Sequence, residues 1–214
     1  MKLKMWLRES LKNLIWVLVI SVFYSLLIST DGNPIISRLE LMPYYFAVGG
    51  WMIQCVMSGI SLFYYIPLSV SMGSTRKSCF VGLQILKILP CVIITAACWL
   101  ITLLIKSEVT AGVKMFLPAI FMVLITGGSI GAIIGCIKLR FGKVGAIIMV
   151  AVFALLGGLN GFFIASRDML NIFSFQAESA GSLNLVLGII TLALLAASVI
   201  TQYFSLRKYE VKLV

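Results

Sequence analysis

The sequence predicts an all-α integral membrane protein in which residues 1–214 form a single transmembrane domain. Its composition is 61% hydrophobic and only 11% charged, with a mean hydropathy of +1.12, whereas soluble domains carry about 25% charged residues. Apolar runs of about 20 residues, the length that crosses a bilayer as a helix, recur along the chain. Six such runs, called spans 1 to 6, cover residues 13–30, 44–70, 80–105, 115–137, 144–165 and 183–205.

The basic residues predict the orientation of these spans. Of the 17 Lys and Arg, twelve precede span 1, follow span 6 or lie in the 2–3 and 4–5 connections, and four lie on the opposite side. The positive-inside rule therefore places both termini in the cytoplasm, in agreement with an even number of spans. The net charge of +10 is a topology signal, and because the basic residues form separate clusters at the membrane edge, we expect no nucleic-acid partner.

Two segments outside the spans are predicted to lie at the membrane surface. In residues 1–13, Lys or Arg and Leu each repeat every four positions, which predicts an amphipathic interfacial helix. The alternative is a basic flank with no further role. The connection 167–182 is too short to cross the membrane twice and too apolar for a simple loop, which favours a re-entrant or interfacial segment before span 6.

The connection between spans 2 and 3 is a short polar break that reads Ser-Met-Gly-Ser-Thr-Arg-Lys-Ser. Gly73 permits a turn, Ser74 or Thr75 can cap a following helix, and Arg76 and Lys77 hold the segment at the cytoplasmic face. We therefore expect a short cytoplasmic helix here, nearly parallel to the membrane.

Two polar residues inside the spans are candidates for a pathway or gating role. Lys87 in span 3 lies about 10 Å deep when counted from Phe80 at helical rise. Its side chain can reach back to the cytoplasmic interface, and that explanation stands beside a role in packing, gating or substrate binding. For Asn160 in span 5, the alternative is an interhelical hydrogen bond, and the same kind of bond is predicted for Gln202 near the end of span 6.

Glycines at four-residue spacing predict close helix packing. Span 4 contains Gly127, Gly131 and Gly135, and span 5 contains Gly157 and Gly161. Small residues at this spacing allow helix backbones to approach closely in lipid. Packing within one chain and a dimer surface are both compatible with the pattern.

The sequence offers no constellation for catalysis, so we expect that the chain is not an enzyme by itself. Histidine is absent and no pair of acidic residues lies within a span, which removes the usual general base and carboxylate-metal schemes. The five cysteines lie in spans or at their cytoplasmic ends, so we expect no disulfide, no metal site and no directly bound cofactor.

Around the polar break, the sequence from Pro67 to Phe80 resembles the first cytoplasmic loop of type-2 ABC transporter permeases from Gram-positive bacteria. That loop often reads as a Leu-Ser stretch, a glycine, one or two small residues, Arg-Lys, a spacer and Phe. In the family it forms the coupling helix, which docks into a separate ATPase subunit. The wider pattern also resembles the family, with an amphipathic start, six spans, internal termini and a basic tail.

The resemblance implies the permease subunit of an ATP-driven ABC exporter in the bacterial cytoplasmic membrane. A second copy, or a related permease, would complete the pathway, and ATP and Mg would bind to the partner ATPase. The residues implied in coupling to that ATPase are Gly73, Ser74, Thr75, Arg76 and Lys77. Small permeases of this type often export amphipathic or hydrophobic peptides, including phenol-soluble modulins, which implies a cargo of that class.

Two other classes share parts of this pattern. A non-transporting membrane protein, such as an immunity or sensor-regulatory protein, would have the same topology but would need no loop that fits an ATPase. An intramembrane enzyme would need polar residues clustered at one depth, whereas along the sequence Gln54, Gln84, Lys87 and Asn160 are scattered.

Overall fold

The computed structural model describes residues 35–71, 73–104, 108–165 and 180–208, together with isolated positions between 8 and 23. Five helices account for almost all of the four longer ranges. They are α1 (Ile35–Ser71), α2 (Arg76–Leu104), α3 (Glu108–Phe141), α4 (Lys143–Ala165) and α5 (Ala180–Lys208). In order, these helices contain the predicted spans 2 to 6, so the all-α class is confirmed.

Four of these helices contain stretches long and apolar enough to cross a membrane, which supports a multi-pass membrane protein. The four stretches are Tyr45–Ser71, Arg76–Leu104, Leu117–Phe141 and Asn184–Arg207. In α4 the described apolar stretch, Lys143–Gly158, is shorter. Span 1 lies largely outside the described residues, and a total of six spans therefore stays a prediction. The segment 167–182 and most of residues 1–13 also lie outside the described part of the chain.

The bundle is organised around α3, which packs most extensively against α1 and then against α5. Buried apolar side chains form two clusters along it. The cluster at the end of α2 remote from Arg76 includes Cys91, Ile94, Cys98, Ile120 and Leu124. The cluster nearer Arg76 includes Leu62, Leu83, Leu86, Ala132 and Leu206. By contrast α4 and α5 expose many large apolar side chains, as expected of lipid-facing helices.

One end of the bundle carries Arg76, Lys77, Arg140 and Lys143, and we call it the basic end. The described connections at this end are very short. A glycine in the left-handed region, Gly73 (φ 72°), lies between α1 and α2, and another, Gly142 (φ 57°), lies between α3 and α4. The separate short helix predicted between spans 2 and 3 is not formed. Instead, α2 begins at Arg76 and continues directly into span 3. The physical reason is that the two helices are capped within a few residues of each other, which leaves no length for a third.

Candidate functional site

The turn between α1 and α2 begins with a Schellman cap, in which a glycine in the left-handed conformation ends the helix. The N–H of Gly73 donates to the carbonyl oxygen of Val70 at 2.9 Å, and the N–H of Ser74 donates to that of Ser69, also at 2.9 Å. This pattern satisfies carbonyls that the end of α1 would otherwise leave without partners. The predicted turn at Gly73 is therefore confirmed.

The same turn ends with the N-cap of α2. The Oγ1 of Thr75 accepts a hydrogen bond from the N–H of Ser78 at 3.2 Å, and the Thr75 carbonyl accepts one from Cys79 at 3.0 Å. The structure therefore makes Thr75, of the two candidates Ser74 and Thr75, the capping residue. Below the turn, the Oγ of Ser69 lies 2.9 Å from the Sγ of Cys79, so α1 and α2 are also joined side chain to side chain.

Beyond the cap, the exposed side chain of Arg76 reaches across the bundle to α5. Its Nη1 donates to the carbonyl oxygen of Arg207 at 2.7 Å. A guanidinium at a helix C-terminus satisfies a free carbonyl and is favoured by the helix dipole. The adjacent Lys77 is exposed. The predicted coupling residues thus lie together at one end of the bundle, and one of them is bonded to the end of another helix.

Three further contacts continue from Arg76 along the facing sides of α2 and α5, and we call this set the α2–α5 seam. The Phe80 and Tyr203 rings meet edge to face with centroids 6.4 Å apart. The Nε2 of Gln84 donates to the Oε1 of Gln202 at 2.6 Å, and the Nζ of Lys87 donates to the Oγ of Ser198 at 3.0 Å. Residue numbers rise on α2 as they fall on α5, so the two helices are antiparallel. In full, the seam consists of Arg76, Phe80, Gln84 and Lys87 on α2, and Ser198, Gln202, Tyr203 and Arg207 on α5.

Lys87 is the most unusual member of the seam because its side chain is fully buried, with 0% exposure. It lies eleven residues beyond Arg76, which is about 16 Å along α2. The expectation that it reaches back to the cytoplasmic interface is therefore wrong, since its amine turns to Ser198 inside the bundle. A lysine at this depth costs about 2.5–3.5 kcal/mol on insertion scales, so its position calls for a functional explanation.

Groups on α1, on α3 and on α2 itself pack around Lys87. The Nε2 of Gln54, on α1, donates to the Lys87 carbonyl oxygen at 2.6 Å, and the Sγ of Cys91 donates to the same carbonyl at 3.0 Å. On α3, a Cβ added at Gly128 would lie 2.9 Å from the Lys87 Cγ. Glycine at position 128 therefore provides the room in which the lysine side chain lies.

A buried hydroxyl without a hydrogen-bond partner lies on α3, on the residue after Gly128. The Oγ of Ser129 is fully buried and has none. Ser129 lies seven residues before Cys136 and so shares its helix face. The Cys136 side chain is within hydrogen-bonding reach of Thr201 and Ser205 on α5. Ser129 therefore faces α5 about two turns further from the basic end, near the level of Ser198.

The glycines of span 4 pack against α1 of the same chain. A Cβ added at Gly127 would lie 2.6 Å from the Trp51 carbonyl oxygen, and one at Gly131 would overlap the Cys55 carbonyl. A Cβ at Gly135 would lie 2.7 Å from the carbonyl oxygen of Gly59. Of the two alternatives for this stripe, packing within one chain is the arrangement found in the structure.

Among the described residues, no contact joins the predicted site residues of span 5 to the seam. A Cβ added at Gly157 would lie 3.5 Å from the Met52 Cε, an ordinary contact distance, and one at Gly158 would meet no heavy atom within 4 Å. The helix continues through Asn160 and Gly161 to Ala165. The side chain of Asn160 lies outside the described structure, so its proposed pathway role stays a prediction.

The groups around Lys87 suit the binding of an anion more than catalysis. Over the described residues, no group of three or more Cys, Asp or Glu is placed to hold a metal ion. The groups around Lys87 are the Ser198 hydroxyl, the Gln54 amide and the Cys91 thiol, and the thiol donates to the Lys87 carbonyl. Hydroxyl and amide groups can hold an anion in place.

Sequence reasoning treated Gln54, Gln84 and Lys87 as scattered, whereas the structure gathers them at neighbouring levels. It predicted an interhelical hydrogen bond for Gln202, which is confirmed, and it missed Ser198 and Ser129. The signal was present in the spacing. Gln84 and Lys87 are three residues apart, and Ser198 and Gln202 are four apart, so each pair lies on one helix face.

Comparison with known proteins gives no identification. No family model matches the chain, no curated protein matches it, and no solved structure matches its fold.

Proposed function

We propose that this chain is the permease subunit of an ATP-driven ABC exporter in a bacterial cytoplasmic membrane, with both termini inside the cell. Two such subunits form the pathway, and separate ATPase subunits bind ATP and Mg. The cargo is an amphipathic or hydrophobic peptide. The multi-pass helical bundle and the sequence resemblance around the polar break both support this proposal.

The observation that carries the proposal is the exposed, doubly capped turn between α1 and α2. A coupling element must be stiff in order to transmit a displacement. The Gly73 and Thr75 caps fix both of its ends. A push on this turn acts directly on the first residue of α2, and through the Arg76–Arg207 bond it also acts on the end of α5.

The charge around the turn also fits an acidic docking partner. Arg76, Lys77 and Arg207 are exposed at the ends of α2 and α5. Complementary charge steers partners and sets their register. A second copy has room beside α4, where a Cβ at Gly158 meets no heavy atom within 4 Å.

The alternative is a non-transporting membrane protein with an immunity or sensor-regulatory role. One observation favours it. The Arg76 guanidinium already bonds to the Arg207 carbonyl within the chain, so its charge has an internal structural use. In that case the turn would stabilise the bundle and would need no ATPase.

The test is a purification of the tagged full-length chain from its native membrane in mild detergent, with ATPase activity assayed in the eluate. When the wild-type chain is purified, we expect an ATPase to co-purify in about equal amount with it. The double variant Arg76→Glu/Lys77→Glu should lose it, because the charge reversal repels an acidic cleft. Lys143→Glu, an exposed charge reversal at the same end of the bundle, is the matched control and should retain it.

Two results would count against the proposal. A wild-type preparation without ATPase activity would favour the non-transporting alternative. In reconstituted vesicles, normal substrate-stimulated turnover by the double variant would remove the turn from the coupling role.

A further inference from the structure

Lys87 carries a charge that has no carboxylate to balance it within the spans. The seven acidic residues of the chain all lie outside the six predicted spans. They are Glu9, Asp31, Glu40, Glu108, Asp168, Glu178 and Glu210. Among the described residues, the Nζ of Lys87 has one hydrogen-bond acceptor, the Oγ of Ser198, although an ammonium has three donors. A buried cation in this state is favoured when an anion joins it.

The groups around this amine suit an anionic oxygen. The Gln84 amide has a second hydrogen beside the one that it donates to Gln202. The Ser198 hydroxyl donates to the Leu195 carbonyl at 2.9 Å, and it can rotate from there toward an anion. The Ser129 hydroxyl is buried without a partner on the α3 face that meets α5. This unpartnered hydroxyl belongs to the residue after Gly128, against which the Lys87 side chain packs, and it provides a second, independent indication of a missing acceptor.

The seam is also a loosely packed interface. Of the four candidate spans, α5 is the least enclosed, with 11% of its apolar window buried against 39–61% for the other three. The backbones of α2 and α5 approach each other less closely than those of the main helix pairs around α3. Side chains bridge the gap, and they can exchange these partners for a ligand without moving the core.

We propose that the α2–α5 seam binds the anionic head group of a single-chain amphiphile. Lys87 pairs with the anion, the hydroxyls of Ser129 and Ser198 donate to it, and the apolar tail stays in the lipid beside α5. An amphiphile fits better than a free anion because Lys87 lies about 16 Å along α2 from Arg76. A hydrated ion that moved this far into the bundle would pay a large desolvation cost. This site needs no ATPase partner, so its failure and that of the proposed function are separable.

Native mass spectrometry of the full-length chain in dodecyl maltoside tests the proposal, with dodecyl phosphate as the probe. One saturable copy per chain is expected for the wild type and for Lys87→Arg, which keeps the charge. Lys87→Met keeps the length but removes the charge, and it should bind at least about tenfold more weakly. Lys77→Met, the same change at the exposed basic end, is the control and should bind as the wild type does.

Three outcomes would overturn the proposal. Equal affinity of Lys87→Met and the wild type would assign a purely structural role to the lysine. Loss of binding in Lys77→Met alone would move the site to the basic surface. Inorganic phosphate bound as tightly as dodecyl phosphate would exclude an amphiphile, since the tail would then contribute nothing.

A second variant keeps the test informative if Lys87→Met fails to fold. Ser129→Ala removes the unpartnered hydroxyl and leaves the charge in place, and we expect affinity for dodecyl phosphate to fall about fivefold. Unchanged affinity in Ser129→Ala would exclude this hydroxyl from the site. A merely structural serine would instead alter the stability of the protein without ligand, which is measured separately.

Discussion

Two helix contacts in this bundle are built on opposite principles. Between α1 and α3, glycines bring backbone against backbone, with Gly131 directly over the Cys55 carbonyl. Between α2 and α5, three side-chain pairs and the bond from Arg76 to the Arg207 backbone carbonyl bridge a wider gap. In lipid no hydrophobic force drives helices together, so both close packing and polar bonds are available as solutions.

The difference indicates where the molecule can change shape. A glycine contact has no second arrangement, because a small shift brings backbone atoms into collision or leaves a void. Polar side chains can replace one partner with another of similar geometry. We therefore expect α1 and α3 to move as one body and any opening to occur along the α2–α5 seam.

Gly131→Ala is the largest expected effect and the most direct test of the rigid contact. Its Cβ would overlap the Cys55 carbonyl, so α1 and α3 must separate, and we expect the free energy of unfolding to fall by about 3 kcal/mol. Unfolding by sodium dodecyl sulfate in mixed micelles, followed by circular dichroism, measures this change.

Gly158→Ala is the matched control for that loss. It makes the same substitution on α4, where a Cβ meets no heavy atom within 4 Å. Alanine also favours the helix by about 1 kcal/mol over glycine, so stability should be unchanged or slightly higher. Equal losses at the two positions would show that the α1–α3 contact is no more tightly packed than a lipid-facing surface.

Gly73→Ala tests the turn that joins the two kinds of contact. No heavy atom lies within 4 Å of a Cβ at Gly73, but its φ is 72°. The cost therefore comes from the backbone alone and should be about 1–2 kcal/mol, measured in the same unfolding assay. Gly73→Asn should recover most of this loss because asparagine tolerates the left-handed conformation. If both variants lose stability equally, the Schellman cap is not what holds the turn.

The sequence predicts the apolar architecture of this protein better than its polar interior. The positions of the helices follow from the lengths of the apolar runs, since about 20 apolar residues form a helix that crosses the bilayer. The cap at Gly73 and Thr75 follows from residue type. The separate coupling helix does not form because the caps of α1 and α2 follow each other within a few residues. The lengths of the apolar runs do not reveal how close these caps are.

The seam was predictable only in part. Periodicity places Gln84 and Lys87 on one face of α2, but nothing in the sequence indicates that this face meets α5. The length of the Lys87 side chain is also compatible with a path back to the cytoplasmic interface, so the sequence does not predict its burial. Its burial depends on Gly128, on another helix, where the missing side chain provides the space. Such a pairing between distant residues is a property of the packed bundle.

The Gln84–Gln202 bond allows a direct measurement of the seam. A double-mutant cycle with Gln84→Leu and Gln202→Leu should give a coupling free energy of about 0.6–1.7 kcal/mol, the range found between membrane helices. Each single variant leaves one buried amide without its partner, and the double variant removes both. Unfolding free energies of the four proteins give the coupling, and a value near zero would mean that the seam does not hold α5 in place.

Ser129→Ala is the smallest expected effect and separates stability from ligand binding. Because the Ser129 hydroxyl is buried without a partner, its removal should leave the free energy of unfolding unchanged or raise it by up to about 1 kcal/mol. Ser198→Ala is the contrasting variant, since it deprives the Lys87 amine of its acceptor and should cost about 1–3 kcal/mol. A clear loss of stability in Ser129→Ala would mean that this hydroxyl already has a partner in the bundle. The seam would then be complete without a ligand, and both contacts compared above would be structural.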